Sequence, residues 1–368
     1  MGQLARPAEQ RLRQHRSGGR RSGAALEGES VAGPPPSVGR TRVTIHDVAA
    51  AAGVSIATVS RVLSGTPGAG AEVRERVVRI ATELGYRSDS VARSLRNRRS
   101  DMLGVLIPDI TNPFFPALIQ AIEVQLQARG DGLLLADAQG DVALEAERVR
   151  SMLDRRMDAL LIAPTDERGS AAIIEEALGQ VPVVQVDRRA CASAPYVGVD
   201  HDGAIQDIVE HLRAGGRRRF AFVGYARGVS TSEDRVEALL RHTADIDPGA
   251  ADRVLREEVA DGVRIPDDWL DRIVGDADCV ITTSDLIAIS LRDSLLARNQ
   301  RIPEDIALVS FDDTPLAAAA GLTSVRQPLR DLAAASIGLV RGTAPTLPQK
   351  GFPATLIVRR SSGSSTQP

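Results

Sequence analysis

Residues 43–64, VTIHDVAAAAGVSIATVSRVLS, carry apolar side chains at helical spacing in two short runs. Ile45, Val48, Ala49 and Ala52 share one face of the first run, and Val59, Val62 and Leu63 share one face of the second. Thr44 and Asp47 make a T-x-x-D capping pattern, in which a hydroxyl and a carboxylate cover N–H groups that a helix start leaves unpaired. Gly53 permits a sharp left-handed turn, and Ser55 caps the second helix. A loop over 65–70 leads to a third predicted helix over 71–84, with Val73, Val77, Ile80, Ala81 and Leu84 as its stripe and Gly85 as its end.

From Asp101 the pattern alternates. Strands are predicted over 103–108, 132–136, 159–163, 181–186, 220–224, 279–283 and 306–311, with amphipathic helices between them, among them 116–129, 144–155 and 286–299. Such alternation implies parallel sheets flanked by helices. A stretch of this length implies two subdomains rather than one.

Two small helices about a glycine turn fit a helix-turn-helix whose second helix enters a DNA major groove, and equally an ordinary αα-hairpin. Charge is consistent with the first of these. Residues 1–100 hold 17 arginines and eight acidic side chains, about +9, so the remainder of this chain of net charge −3 is near −12. A basic end on an acidic body suits a phosphate-binding module joined to a domain that does not bind DNA. The two cysteines, Cys191 and Cys279, are far apart and lack metal-ligand spacing, which fits a reducing cytoplasm and argues against a disulfide framework or zinc site. No run approaches the ~18 apolar residues that span a membrane. Residues 1–42 are rich in Arg, Gly, Ser and Pro and read as a disordered basic extension, either an arm that adds DNA affinity or a translation start placed too early. They lack the apolar core of a secretory signal.

The residue detail goes further. Asp47-Val48-Ala49, Ala52-Gly53-Val54-Ser55 and Thr58-Val59-Ser60-Arg61-Val62-Leu63 together resemble the DNA-binding headpiece of the LacI/GalR family of bacterial regulators. Residues 86–100, YRSDSVARSLRNRRS, resemble that family's hinge helix, with Ala92, Arg93 and Leu95 at matching places. Later segments match as well: GVLIPDITNPFF at 104–115, TSDLIA at 283–288, VSFDDTPLA at 309–317, LTSVRQP at 322–328 and VRRSSG at 358–363. The resemblance implies an α-helical helix-turn-helix headpiece (43–87), a hinge helix (88–100), and an α/β two-subdomain, periplasmic-binding-protein-like domain for effector binding and dimerisation (101–368). Three departures stand out. The 69–74 segment, AGAEVR, lacks a capping Ser and a phosphate-contacting Thr. Ala238 and Leu239 replace a Gly–aromatic pair, and Gly321 replaces a proline.

On this reading Thr44, Ser55, Thr58 and Ser60 are candidates for phosphate contacts, which position the module without reading sequence. Ile56, Ala57 and Arg61, on the exposed early face of the second helix, are candidates for base edges, since Arg grips guanine bidentately and apolar groups suit thymine methyls. Leu95, with Ala92 beside it, matches the minor-groove wedge of the hinge. Ligands of such folds bind in the cleft where strand C-termini converge. Asp109, Phe114 and Phe115 follow the first strand, Asp187 and Arg188 the fourth, and Asp285 and Asp312 later ones. By resemblance Phe115 stacks on an effector ring, while Arg235 and Asp312 bond its polar groups. Asp285 serves equally well as a helix cap, Asp187 and Arg188 as an exposed ion pair, and Trp269 as a cleft or a core residue.

No G-x-G-x-x-G follows the first strand, and no P-loop, H-E-x-x-H, paired-Cys or nucleophile-elbow motif occurs. The five histidines are scattered. The sequence therefore points away from an enzyme and toward a cytoplasmic, homodimeric regulator on a palindromic DNA operator. Its control would come from a small sugar or nucleoside effector, with no cofactor. A plain small-molecule binding protein and a non-specific DNA binder are the alternatives.

Overall fold

The computed structural model describes residues 43–63, 67–86, 100–225, 228–257, 265–343 and 351–363. The extension over 1–42 and the hinge positions Ala92 and Leu95 lie outside the described residues. The chain divides into two units, Met1–Arg87 and Ser88–Pro368.

In the first unit, α1 (Ile45–Ala52), α2 (Ile56–Leu63) and α3 (Ala71–Glu83) enclose Val48, Ala49, Ala52, Val59, Val62, Val77 and Ala81. The capping box forms: the Thr44 N–H donates to Asp47 Oδ2 at 2.8 Å, and the Asp47 N–H donates to Thr44 Oγ1 at 3.4 Å. Gly53 sits at φ +64°, where its N–H closes back on the carbonyls of Ala49 and Ala50 and turns the chain toward α2. Ser55 Oγ accepts from the Thr58 N–H at 3.2 Å, so α2 is capped as its sequence predicts. At α3 the cap residue is Gly70, which offers no side-chain bond. Leu84, expected in the buried stripe of α3, is 40% exposed because it is the residue that ends the helix.

The second unit has two lobes. Lobe 1 is a five-stranded parallel sheet in the order β2-β1-β3-β4-β5. Its strands are β1 (Met102–Ile107), β2 (Gly132–Asp137), β3 (Ala159–Ile162), β4 (Val183–Val186) and β5 (Tyr196–Val197). Helices α4 (Phe114–Gln127), α5 (Val142–Asp154) and α6 (Ala171–Leu178) connect them. Lobe 2 is a six-stranded sheet, β11-β10-β9-β8-β6-β7, parallel except for β11. Its strands are β6 (Phe220–Tyr225), β7 (Val254–Glu257), β8 (Cys279–Thr282), β9 (Ala307–Phe311), β10 (Thr323–Arg326) and β11 (Thr355–Ile357). Its helices are α7 (His201–Ala214), α8 (Ser230–Thr243), α9 (Asp267–Asp276), α10 (Asp285–Ala297) and α11 (Pro315–Ala320). The central strands are buried throughout and mostly apolar, with Thr282 and Ser310 as exceptions, because both sheet faces are covered.

The chain crosses between lobes three times. Residues 198–200 lead from β5 into α7, and Gln327-Pro328 lead from β10 back to α12 (Leu329–Val340). The core side of α12 joins Leu103, Leu118 and Ile122 of lobe 1. Phe352 pairs with Val199 before the chain returns to β11. These crossings form a hinge, and each sheet aims its strand C-termini at the gap beside it. Among the described residues no helix is long and apolar enough to cross a membrane.

Candidate functional site

On the head, Ser55, Ile56, Ala57 and Arg61 are exposed, while Thr58 and Ser60 are half-buried. Val59 and Val62, on the opposite side of α2, are in the core. Ser55 Oγ and Thr58 Oγ1 lie 2.9 Å apart, and Arg61 Nε donates to the Ala57 carbonyl at 3.3 Å along the helix. Thr44 is exposed at the start of α1. The hydroxyls of Thr44, and of Ser55 and Thr58, thus lie at two helix N-termini, where backbone N–H groups and the helix dipole favour phosphate, while Ser60 lies farther along α2. Ile56 is 39% exposed, an apolar group kept in solvent with no partner in the head's core.

In the body, six of the eight cleft candidates converge. Phe114, Phe115, Asp187, Arg188, Arg235 and Asp312 line one cavity of about 20 Å³ between the lobes. Asn112, Thr231, Thr283 and Gln327 complete its wall; Thr231 and Gln327 are additions that strand periodicity does not mark. The phenylalanines meet edge to face at 5.1 Å, and the Arg188 guanidinium lies 5.5 Å from the Phe115 ring. Arg235 is 3% exposed. Its guanidinium stacks 3.8 Å from the Phe311 ring, donates through Nη1 to the Thr283 carbonyl at 2.9 Å, and donates through Nε to His201 Nδ1 at 3.3 Å.

The carboxylates are held in unusual states. Burial pushes Asp312 up to about 8, the charge of Asp285 adds to this, and Arg235 opposes it. Burial also raises Asp187, against the pull of Arg188, whose Nε lies 3.8 Å from Asp187 Oδ2. Asp187 (φ +66°), Asp312 (φ +105°) and Asp313 (φ +49°) all adopt backbone conformations that L-residues rarely take. Strain at strand ends facing a cleft is characteristic of binding sites, where the surrounding structure holds it in place. At Asp313 the holding groups are visible: Arg326 at 2.7 Å, Arg359 at 2.5 Å and the Ser324 hydroxyl, which takes the Asp313 N–H at 2.9 Å. Two buried wall atoms, Thr283 Oγ1 and Gln327 Oε1, have no hydrogen-bond partner. Gln327 Nε2 donates to Asp312 Oδ1 at 2.9 Å.

Two candidates stand elsewhere. Asp285 accepts from Ser310 Oγ (2.5 Å), Ser324 Oγ (2.8 Å), and the N–H (2.7 Å) and Oγ1 (2.8 Å) of Thr314. With its lone pairs engaged, it ties β9, β10 and α11 together inside lobe 2, and Ser284 rather than Asp285 caps α10. Asp109 closes its own turn by accepting from the Thr111 N–H and hydroxyl. The alternative of an exposed Asp187–Arg188 pair is also displaced, since Asp187 is buried. Trp269 belongs to the core of lobe 2. Ala238 and Leu239 are buried in a lobe 2 core cluster, so that departure from the family pattern alters packing rather than the cleft wall. Gly321 ends α11 at φ +67°, a conformation that a proline cannot adopt.

A helix-turn-helix head joined to a two-lobed body that closes on a polar, aromatic-walled cavity defines a transcriptional regulator with a ligand-binding domain. The comparisons agree. Residues 44–89 match the profile of bacterial regulatory proteins of the lacI family, and residues 209–362 match that of a periplasmic binding protein-like domain. The ribose operon repressor of Halalkalibacterium halodurans is 31% identical over 309 residues, spanning 81% of this chain and 89% of that protein. A LacI family transcriptional regulator from Lactobacillus casei, solved with bound sucrose, is 28% identical with a TM-score of 0.59, over 71% of this chain and 99% of that one. The lac repressor dimer bound to operator and the anti-inducer ONPF shares the fold, with a TM-score of 0.71 at 23% identity, over 88% of this chain and 99% of that one. The chain belongs to the LacI/GalR family of bacterial regulators. It is a DNA-binding transcriptional regulator and not an enzyme.

Proposed function

We propose that the chain is a repressor that binds a palindromic operator as a homodimer and changes its grip when a small sugar enters the cleft. Thr44, Ser55, Thr58 and Ser60 hold phosphates, and Ile56, Ala57 and Arg61 read base edges. Ala92 and Leu95 act in the minor groove. The observation that carries the effector reading is the cavity itself. Two edge-to-face aromatics, two guanidiniums, two carboxyls and unpartnered buried polar atoms meet in one place, a set that suits a hydroxylated ring. Ribose and sucrose, from the names of the relatives, are the first sugars to try. No cofactor beyond this effector is needed, and the site of action is the bacterial nucleoid in the cytoplasm.

Homodimerisation is supported by the apolar side chains that lobe 1 leaves in solvent. Val124 on α4 is 61% exposed, and Leu135 lies exposed on β2, the edge strand. The test is selection of operator sequences from a random pool, followed by gel-shift titration with and without D-ribose, D-xylose, sucrose and cellobiose. The expected result is a two-fold symmetric site whose affinity changes with one of the sugars. Recovery of no symmetric site at low salt would overturn the reading.

A further inference from the structure

We propose that Asp158 is a positioning residue for operator binding: its carboxylate fixes the point at which the segment leading from the head joins lobe 1, and Arg341 fixes the carboxylate. The inference rests on the reading of a homodimer on a palindromic operator. The first unit ends at Arg87 and β1 begins at Met102, so one segment joins head to body, and Ser100 and Asp101 are its last two residues.

Sheet register brings Asp158 to this point. β1 and β3 run parallel with Leu103 beside Ala159, so the residue before β3 lies beside the residues before β1. That residue is Asp158, and its N–H donates to the Met102 carbonyl at 2.9 Å. Its carboxylate reaches farther back. Oδ1 accepts from the Ser100 N–H at 2.7 Å and from Ser100 Oγ at 3.0 Å, and Oδ2 accepts from the Asp101 N–H at 3.1 Å. An ionised carboxylate is only ever an acceptor, so it can take three donors at once. The Ser100 hydroxyl in turn takes the Met102 N–H at 3.2 Å. Asp101 sits at φ +54°, a conformation that L-residues rarely adopt and that persists only where surrounding bonds hold it.

Arg341 anchors the carboxylate from the other side. It caps the end of α12, where Ile337 and Val340 are packed into the core of lobe 1. Its Nη2 donates to Asp131 Oδ2 at 2.7 Å, and its Nη1 lies 3.9 Å from Asp158 Oδ2. All three side chains are mostly buried, where a carboxylate needs a nearby cation. The joint is thus tied to a packed helix and does not follow a pull on the connecting segment.

Two heads on a palindrome must meet two half-sites at one spacing. Release of Ser100 and Asp101 would lengthen each connection by up to about 7 Å. The effective concentration of the second head falls as its connection lengthens, and the ordering of two residues becomes a cost of binding rather than of folding. The first head to bind is unaffected.

The test is gel-shift titration of full-length wild type and Asp158→Asn on the selected operator and on DNA carrying one of its half-sites. Asparagine keeps the shape but turns an amide donor toward groups that are themselves donors. Hydrogen exchange of the Ser100 and Asp101 amides, measured alongside, should be faster in the variant. Operator affinity should fall about fivefold, with half-site affinity unchanged. Arg341→Met should repeat the pattern, and the double variant should fall no further than the stronger single one. Unchanged operator affinity with faster exchange overturns the proposal, and so does unchanged exchange, since Asp158 would then not hold the joint. Equal loss on operator and half-site also overturns it, because that is the mark of a destabilised protein. If wild type itself selects no symmetric site, the operator reading falls and takes this proposal with it; a wild type that binds beside an equally tight variant overturns this proposal alone.

Discussion

Asp312 shows how one residue can tie stability to the ligand site. In the unfolded chain its carboxyl titrates near about 4, whereas in the folded cleft burial moves it to about 8. Between these values the native state holds a proton that the unfolded state has released. Stability therefore falls as pH rises through that window and levels off above it. Asp312→Asn removes the effect. Thermal melts of wild type and variant should diverge in favour of the variant from about pH 5 to about pH 9, whereas a constant difference would exclude the assignment. Below about 8 the carboxyl is also a hydrogen-bond donor, which gives a hydroxylated ligand both a donor and an acceptor at one side chain. The raised value depends on enclosure by both lobes, and no pattern in the sequence reports enclosure. The identity of Asp312 as a candidate, by contrast, was legible from its place after a strand.

At the scale of elements, the head is where sequence and structure agree most closely. The capping box, the left-handed Gly53 and the Ser55 cap all involve residues within four positions of each other, so the local sequence contains every participant. Gly53→Ala isolates the backbone contribution, because no atom lies within 4 Å of the Cβ it would add. The expected cost is about 1 kcal/mol, read as roughly fivefold faster hydrogen exchange of α1 and α2 amides in the full chain. Unchanged exchange would mean that the turn tolerates alanine. The body's central strands were legible as apolar runs, but β5, β7, β10 and β11 were not. β5 spans only Tyr196–Val197, and β10 reads Thr-Ser-Val-Arg, with Thr323 and Ser324 buried by bonds to distant residues. A buried hydroxyl satisfied from 36 or more positions away looks, in sequence, like a loop.

At the scale of the whole body, the conformation is closed. A cavity of about 20 Å³ has room for little more than a water molecule, so a sugar enters only when the lobes part. Four interlobe hydrogen bonds resist that movement. Arg189 grips Asp234 with both terminal nitrogens, at 2.5 and 2.6 Å, its N–H donates to Ser230 Oγ at 3.0 Å, and the Glu167 N–H donates to the Gly228 carbonyl at 2.6 Å. Pairing with Asp234 raises the Arg189 guanidinium above its ordinary range. Asp234→Asn should shift the unliganded body toward the open form, seen as a larger radius of gyration in solution scattering and faster association of the effector sugar. Superimposable scattering curves would assign closure to other contacts. Differential affinity for open and closed forms is what lets an effector act at a distance.

The linear order of residues by itself determined the kind of protein this is: a glycine-turned pair of capped helices on a basic end, followed by alternating strands and helices on an acidic body. Those features depend on neighbours along the chain, on spacing and on summed charge. The tertiary structure alone decided which polar residues form the cleft. It brought Thr231 and Arg235 of α8, with Thr283 and Gln327, beside Phe115, Asp187 and Asp312 from three other segments, and it turned Asp285 inward onto Ser310, Thr314 and Ser324. A carboxylate after a strand looks the same in either role, and only the donors that folding brings around it tell a ligand group from a structural one.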